Sequence, residues 1–188
     1  MQIRQESRAV LYDTAALQVV LDRMAFDLAA RLHGQERVTL VGIRRRGAPL
    51  AERLHVRLRE HLAQAHIERL DLAIKRYADD LTLLHPQTQL TEQAGHARID
   101  LSGRATVVVD DVLYFGFSLM KAVQYLLTKG ARTLHTVVLV DRRCATLPIH
   151  ADVAGLVLQV APGQVVECHV PPFEPTLQIE LVAGAMAS

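Results

Sequence analysis

The sequence predicts an α/β domain built around a largely parallel sheet, and three observations carry that expectation. Short apolar runs that fit buried strands recur at residues 38–43, 106–109, 136–140 and 153–160. Stretches of helical periodicity separate several of them, at residues 14–32, 48–63 and 118–128. Gly34 and Gly130 close two of those stretches as helix stop signals. Strands alternating with helices favour parallel pairing, because a parallel pair needs a long crossover and a helix supplies it.

Taken in order, Thr14 is expected to cap a helix running to about Leu32, with Leu17, Val20, Leu21, Met24, Leu28 and Leu32 along one apolar stripe. Residues 38–43 follow as a short buried strand that ends in Arg44-Arg45-Arg46-Gly47. A second helix spans 48–63, rich in Leu, Arg and Glu, and residues 70–74 alternate as a strand does. Residues 78–102 are polar, include Pro86 and Gly95, and are long for a connection, as functional lids and flexible segments are. The strand at 106–109, the helix at 118–128 and the strand at 136–140 form a further unit. Strands are expected at 153–160 and 165–170, while the tail after Pro171-Pro172 fits either a short strand or a loose end. There is no internal repeat or low-complexity tract, and 188 residues fit one domain over 1–188 with a substantial core.

Composition narrows the function classes. Half of the residues are hydrophobic and 22% are charged, the balance of an ordinary soluble protein. A formal net charge of +1 provides no global attraction to nucleic acid or to a membrane surface. The chain shows no apolar run of the ~18 residues that a membrane span needs, and its first residues lack the apolar core of a signal peptide. Cys144 and Cys168 are the only cysteines and form no CxxC, so a reduced, cytoplasmic setting is expected and a disulfide framework is not. The nine histidines show no HxxxH or HxH spacing, which disfavours a protein-only metal site.

The stretch with the most chemistry is Thr106-Val107-Val108-Val109-Asp110-Asp111-Val112-Leu113-Tyr114-Phe115-Gly116-Phe117-Ser118. An apolar run, two adjacent acids, a glycine turn and a helix beginning near Ser118 place both carboxylates at a strand's carboxyl end and aim a helix N-terminus at the same point. Backbone N–H groups there suit a phosphate, while carboxylates accept hydrogen bonds from sugar hydroxyls or hold a divalent cation. Together these are the requirements of a phosphorylated sugar. Gly116 supplies a path without a Cβ, and Ser118 is placed to cap the helix or donate to a phosphate oxygen. Arg44-Arg45-Arg46 fits either a solvated charge run or, directly after a strand and before Gly47, an anion site. Asp141 and Arg142 lie at another strand's carboxyl end, where a site residue and a structural ion pair are equal alternatives for Asp141.

The pattern at 106–118 resembles the phosphoribosyl-diphosphate motif of the type I phosphoribosyltransferases, and most of all the pyrimidine-operon attenuator/uracil phosphoribosyltransferase family, whose run ends in Val-Asp-Asp-Val-Leu-Tyr-Thr-Gly-Arg-Thr. Further segments are similar: Val41-Gly42-Ile43-Arg44-Arg45-Arg46-Gly47 with Leu50-Ala51-Glu52-Arg53-Leu54, then Asp79-Asp80-Leu81. Val138-Leu139-Val140-Asp141-Arg142 and Leu147-Pro148-Ile149-His150-Ala151-Asp152 follow in the family's order. The resemblance implies the type I phosphoribosyltransferase fold with a small hood formed by the terminal segments. It implies transfer of ribose 5-phosphate from phosphoribosyl diphosphate to uracil or a related pyrimidine, with magnesium (Mg²⁺) and, as in relatives, a homodimer. By matched position Asp110 and Asp111 hold the ribose and, through the donor diphosphate, the metal. Phe115, Gly116, Phe117 and Ser118 wrap the 5′-phosphate. Arg44, Arg45, Arg46 and Gly47 meet the diphosphate, with Arg46 counted among the catalytic residues, and Asp141 and Arg142 belong to the substrate site. Tyr114 matches the pyrimidine group, since purine-specific relatives tend to carry an Asp there; packing is its equal alternative.

Three departures from the family pattern qualify what the resemblance implies. Thr-Gly-Arg-Thr is replaced by Phe115-Gly116-Phe117-Ser118, which removes a hydroxyl donor worth ~1.5–3 kcal/mol toward a charged oxygen and adds bulk. That loss motivates a second function class, a catalytically impaired homologue acting as a nucleotide-sensing or partner-binding regulator. The family's polar segment after Ala-Asp is apolar here, Gly155-Leu156-Val157-Leu158-Gln159-Val160-Ala161. Where RNA-binding members carry Thr-Arg-Ile-Ala-His-Glu, this chain has Asp22-Arg23-Met24-Ala25-Phe26-Asp27, which adds negative charge facing any phosphate and disfavours an RNA attenuator role.

Overall fold

The fold was described from a computed structural model, which describes residues 7–74, 90–91 and 99–183. Strands β1 (Ser7–Tyr12), β2 (Arg37–Ile43), β3 (His66–Ile74), β4 (Leu90–Thr91), β5 (Ala105–Leu113), β6 (Thr133–Asp141), β7 (Val153–Val157), β8 (Gln164–His169) and β9 (Gln178–Ala183) are joined by helices α1 (Thr14–Arg31), α2 (Gly47–His61) and α3 (Phe117–Thr128). The main sheet has the order β4-β3-β2-β5-β6-β7. Its pairings from β3 to β7 are all parallel, and β4 adds one antiparallel edge. The predicted α/β class and its largely parallel sheet are therefore present.

The central strands are buried on both faces, which is why they read as unbroken apolar runs. The period of two still divides them. Leu40, Val107, Val109 and Val137 point to the face covered by α1 and α2, where Leu17, Leu21, Met24, Leu28, Leu50, Leu54 and Leu58 fill the core. Val41, Val108 and Val138 point to the opposite face, against Leu119, Ala122 and Leu126 of α3. Each fully buried leucine of this kind contributes roughly 1.5–3 kcal/mol.

A second, three-stranded antiparallel sheet of order β1-β9-β8 is the expected hood. It rests on the α1–α2 side through the buried Cys168, Val170, Leu177 and Ile179. β1 pairs with β9 from Ser7↔Ala183 onward, with an irregularity between Val10 and Tyr12. No strand was expected at 7–12, because Ser-Arg-Ala-Val-Leu-Tyr is exposed almost throughout and shows no alternation of burial. The tail resolves in favour of a strand, β9.

Several expected boundaries shift. The cap of α1 is Asp13, whose carboxylate accepts the Ala16 N–H at 2.9 Å, whereas the Thr14 hydroxyl donates to the Leu177 carbonyl at 2.7 Å and ties α1 to the hood. β3 begins at His66, earlier than expected, and β7 ends at Val157. Apart from Leu90–Thr91 and residues 99–102, the predicted lid at 78–102, including Asp79, Asp80 and Leu81, lies outside the described residues. Among the described residues no helix is long and apolar enough to cross a membrane.

Candidate active site at the β2–β5 switch point

In sheet order, the chain leaves β2 toward β3 on one side and leaves β5 toward β6 on the other. α2 and α3 consequently pack on opposite faces, and the carboxyl ends of β2 and β5 open a crevice between two departing loops. Asp110 and Asp111 lie on β5 beside that crevice. Both belong to the strand itself, which continues to Leu113 rather than ending before the acids as expected. They are only 1% and 4% exposed, and the Asp111 N–H donates to Asp110 Oδ1 at 2.9 Å. Two carboxylates this deep are costly without cations or hydrogen-bond donors nearby.

The β2–α2 turn supplies cationic side chains. Gly47 starts α2 so close to β5 that a Cβ there would lie 2.5 Å from the Val109 carbonyl oxygen and 3.1 Å from the Asp110 Cα. This approach brings Arg46 Nη1 to 4.0 Å from Asp111 Oδ2. Arg46 Nε and Nη2 both donate to Glu174 Oε1, at 3.0 and 2.6 Å. Burial works against the charge of Arg46, but its hydrogen bonds to Glu174 and the charge of the nearby Asp111 outweigh it and raise its pKa further. Burial likewise opposes ionisation of Glu174, yet Arg46 and the Val170 N–H prevail and hold its carboxyl below the usual range. The Arg45 guanidinium stands 5.5 Å from the centre of the Phe173 ring, and Arg44, exposed, donates its N–H to the Leu72 carbonyl at 2.8 Å; the Arg44–Arg45 peptide is cis. The arginine run is thus partly engaged in tertiary contacts rather than wholly solvated.

The β5–α3 turn is organised around Gly116, whose φ of 92° favours a residue without a side chain, and whose missing Cβ would lie 2.5 Å from Ile149 Cγ2. Gly116 is also the residue that caps α3, and no side chain bonds this N-terminus. Ser118 therefore sits inside the first turn instead of capping it, a correction to the sequence expectation. Tyr114, Phe115 and Phe117 are 36%, 37% and 41% exposed, and the first two rings lie 4.0 Å apart between centroids. The Phe115 carbonyl accepts the Thr146 N–H at 3.2 Å.

The end of β6 completes the rim. Asp141 is buried and accepts from the Arg143 N–H at 2.8 Å, with Arg143 Nε at 3.1 Å, so its described contacts hold its own turn. The Arg142 guanidinium lies 5.2 Å over the Tyr114 ring, and its buried Nε has no hydrogen-bond partner among the described residues. Burial pushes the Cys144 thiol up, against the opposing charge of Arg142, which disfavours a reactive thiolate. Phe173 and Glu174, in the hood turn, were not anticipated. Sequence position gave no signal for them: Glu174 meets Arg46 across 128 residues.

Elsewhere, Glu167, His169 and Glu180 bring potential ligand atoms within 4.8 Å of one another on the hood. Arg8 already stands 2.7 and 3.3 Å from the two carboxylates and supplies positive charge there.

The switch-point crevice brings together paired buried acids, a cationic turn and a helix start that no side chain caps. The phosphoribosyl transferase domain model matches residues 8–171, and the chain belongs to that family. It is 36% identical over 154 residues to a bifunctional protein PyrR of Listeria monocytogenes, covering 80% of this chain and 82% of that protein. A bifunctional protein PyrR of Actinobacillus pleuropneumoniae is 32% identical over 174 residues, or 92% and 96% of the two chains. Among solved structures, a hypoxanthine phosphoribosyltransferase of Trypanosoma cruzi superposes with a TM-score of 0.70 over 90% of this chain and 92% of that one, at 18% identity. The Staphylococcus aureus hypoxanthine phosphoribosyltransferase gives 0.67 over 84% and 80%, again at 18% identity. These structural likenesses bear on the fold. The expected type I phosphoribosyltransferase fold and the expectation of an enzyme of that family both stand.

Proposed function

We propose that this protein transfers ribose 5-phosphate from phosphoribosyl diphosphate to uracil or a related pyrimidine. The observation that carries the reading is the buried Asp110–Asp111 pair at the switch point, with Arg46 4.0 Å from Asp111. The pyrimidine choice is supported by Tyr114 and by the likeness to PyrR proteins; the hypoxanthine enzymes share the fold at lower identity.

In this reading Asp110 and Asp111 accept hydrogen bonds from the ribose hydroxyls, and the N–H groups that open α3 face the 5′-phosphate. Arg44 to Gly47 receive the diphosphate. The bond from the anomeric carbon to the diphosphate oxygen breaks, a bond to the base nitrogen forms, and that nitrogen gives up its proton. Negative charge accumulates on the leaving diphosphate, so guanidinium groups placed beforehand lower the barrier. The site's acids suit a hard cation that takes oxygen ligands, with donor oxygens and water completing its shell. Bound magnesium would supply Lewis-acid stabilisation of the leaving group. Asp141 and Arg142 line the same rim, and a homodimer is the expected assembly.

An RNA attenuator role is disfavoured. On α1, Asp22 and Phe26 stand exposed where the RNA-binding pattern has Thr and His, which removes two donors and adds one negative charge. The second reading, a regulator that kept the scaffold and lost transfer, is favoured by Phe115 and Phe117 in the phosphate turn.

Calorimetric titration with phosphoribosyl diphosphate and Mg²⁺, repeated on Asp110→Asn/Asp111→Asn, tests the site. Micromolar binding that the double change abolishes is expected, followed by transfer to uracil in preference to hypoxanthine. Absence of binding at millimolar donor would sink the enzyme reading and leave the regulator. Faster transfer to hypoxanthine would overturn the pyrimidine assignment alone.

A further inference from the structure

The turn from Val170 to Glu174 touches two consecutive arginines of the β2–α2 turn. Glu174 Oε1 takes Arg46 Nε–H and Nη2–H together, at 3.0 and 2.6 Å, so Nη1 is left toward Asp111 at 4.0 Å. The other oxygen, Oε2, accepts the Val170 N–H at 2.7 Å. The turn is closed on itself, because Phe173 and Glu174 donate their N–H groups to the Val170 carbonyl at 3.1 and 3.4 Å. Phe173 then places its ring 5.5 Å from the Arg45 guanidinium carbon. The carboxylate of Glu174 is accordingly gripped at both oxygens, by hood backbone on one side and by Arg46 on the other.

An arginine on an exposed loop has many rotamers to lose when it meets an anion, and fixing it beforehand removes that cost. We propose that Glu174 is a positioning residue for phosphoribosyl transfer: from the hood it holds Arg46 so that the Nη1 edge faces the leaving diphosphate beside Asp111. Phe173 steadies Arg45 in the same way. Neither residue touches the reacting atoms. The hood thereby acts on the chemistry through the arginine turn. The opposite role, a carboxylate that competes with the donor for Arg46, gives the opposite sign when Glu174 is removed. This inference rests on the arginine turn being the diphosphate site.

The test compares Glu174→Ala, Glu174→Met and Glu174→Gln by donor–Mg²⁺ calorimetry and by steady-state kinetics with each substrate varied. Loss of the acceptor in the Ala and Met variants is expected to lower kcat/KM for the donor by about 10- to 100-fold while KM for the base is unchanged. Gln can keep an amide oxygen for the same two Arg46 N–H groups but sets its NH2 against the Val170 N–H, so it should retain more activity than Ala or Met without matching wild type. Met is close to Glu in length, so it carries the result where Ala fails to fold. Equal or tighter donor binding in the Ala and Met variants overturns the proposal, as does a loss shared equally by Gln and by the base KM. A wild-type protein that binds no donor overturns the site reading as well, whereas a wild type that binds, beside variants that bind equally, overturns this inference alone.

Discussion

Two strand-to-helix turns stand side by side on the rim of the main sheet, residues 44–47 after β2 and residues 114–118 after β5, and they are built from opposite materials. Each brings the N-terminus of a helix, unbonded by any capping side chain, to a strand end. The first is cationic, with backbone pressed onto backbone where Gly47 meets the Val109 carbonyl, and its arginines are held by hood residues. The second is aromatic and is held by the segment after β6, through Leu113 and Phe115 carbonyls that accept from Arg142 and Thr146 and through Ile149 behind Gly116. One turn thus offers side-chain charge and depends on a distant sheet to aim it. The other offers backbone donors, while its rings are partly exposed. Neither Phe115 nor Phe117 is buried in the core, and the helix start beside them has no side-chain cap.

Substitutions at the two glycines separate the mechanisms most sharply. Gly47→Ala must displace main chain and is expected to cost about 2–3 kcal/mol, against about 1–2 kcal/mol for Gly116→Ala, where a left-handed φ and one movable side chain are the obstacles. Urea midpoints of the two variants check the order, and a reversed order would show that the β2–α2 turn yields more easily than its contacts imply. Next in size, Arg46→Ala should weaken donor binding by about 10- to 100-fold, the worth of one or two charge-assisted bonds. An unchanged affinity would remove the cationic turn from the site. Phe115→Thr/Phe117→Arg/Ser118→Thr should tighten donor binding by roughly tenfold, by restoring donors to the aromatic turn; no gain would mean the phenylalanines are not what sets phosphate affinity.

The smallest effect is a pH dependence. Glu174 has its folded pKa below the unfolded value of about 4.3, so its stabilisation is present above that value and is lost as pH falls through the lower folded one. The stability advantage of wild type over Glu174→Gln should therefore hold at neutral pH and shrink in acid. A difference that stays constant down to strongly acidic pH would mean the ion pair with Arg46 contributes nothing to folding.

Much of the candidate site was legible because it is local. Asp110, Asp111 and Gly116 sit within one stretch whose apolar run, acids and glycine each state a backbone requirement, and the structure places all three at the crevice. The helix stripe of α1 was legible for the same reason, since burial repeats with the helical period. Local signals were weaker at the ends of elements. Ser118 looked like a cap, but Gly116 can take the left-handed conformation that begins α3 one residue earlier. Thr14 looked like another, yet its hydroxyl goes to the Leu177 carbonyl while Asp13 caps the helix. β1 gave no pattern because five of its six residues are exposed, leaving pairing with β9 as the feature that defines it.

By itself the sequence determined the α/β class, the likeness of residues 106–118 to a family motif, and the chemical types present at the rim, because these follow from short-range periodicity and neighbouring residues. Strand order was decided only in three dimensions: nothing local says that β2 and β5 adjoin while their helices leave on opposite faces, and that adjacency is what opens the crevice. The partners of the arginines were decided there too. Glu174 reaches Arg46 across 128 residues because the hood's buried Cys168, Val170 and Ile179 seat it on the α1–α2 layer, and a carboxylate's hydrogen-bond partner is chosen by where packing puts it rather than by its place in the chain.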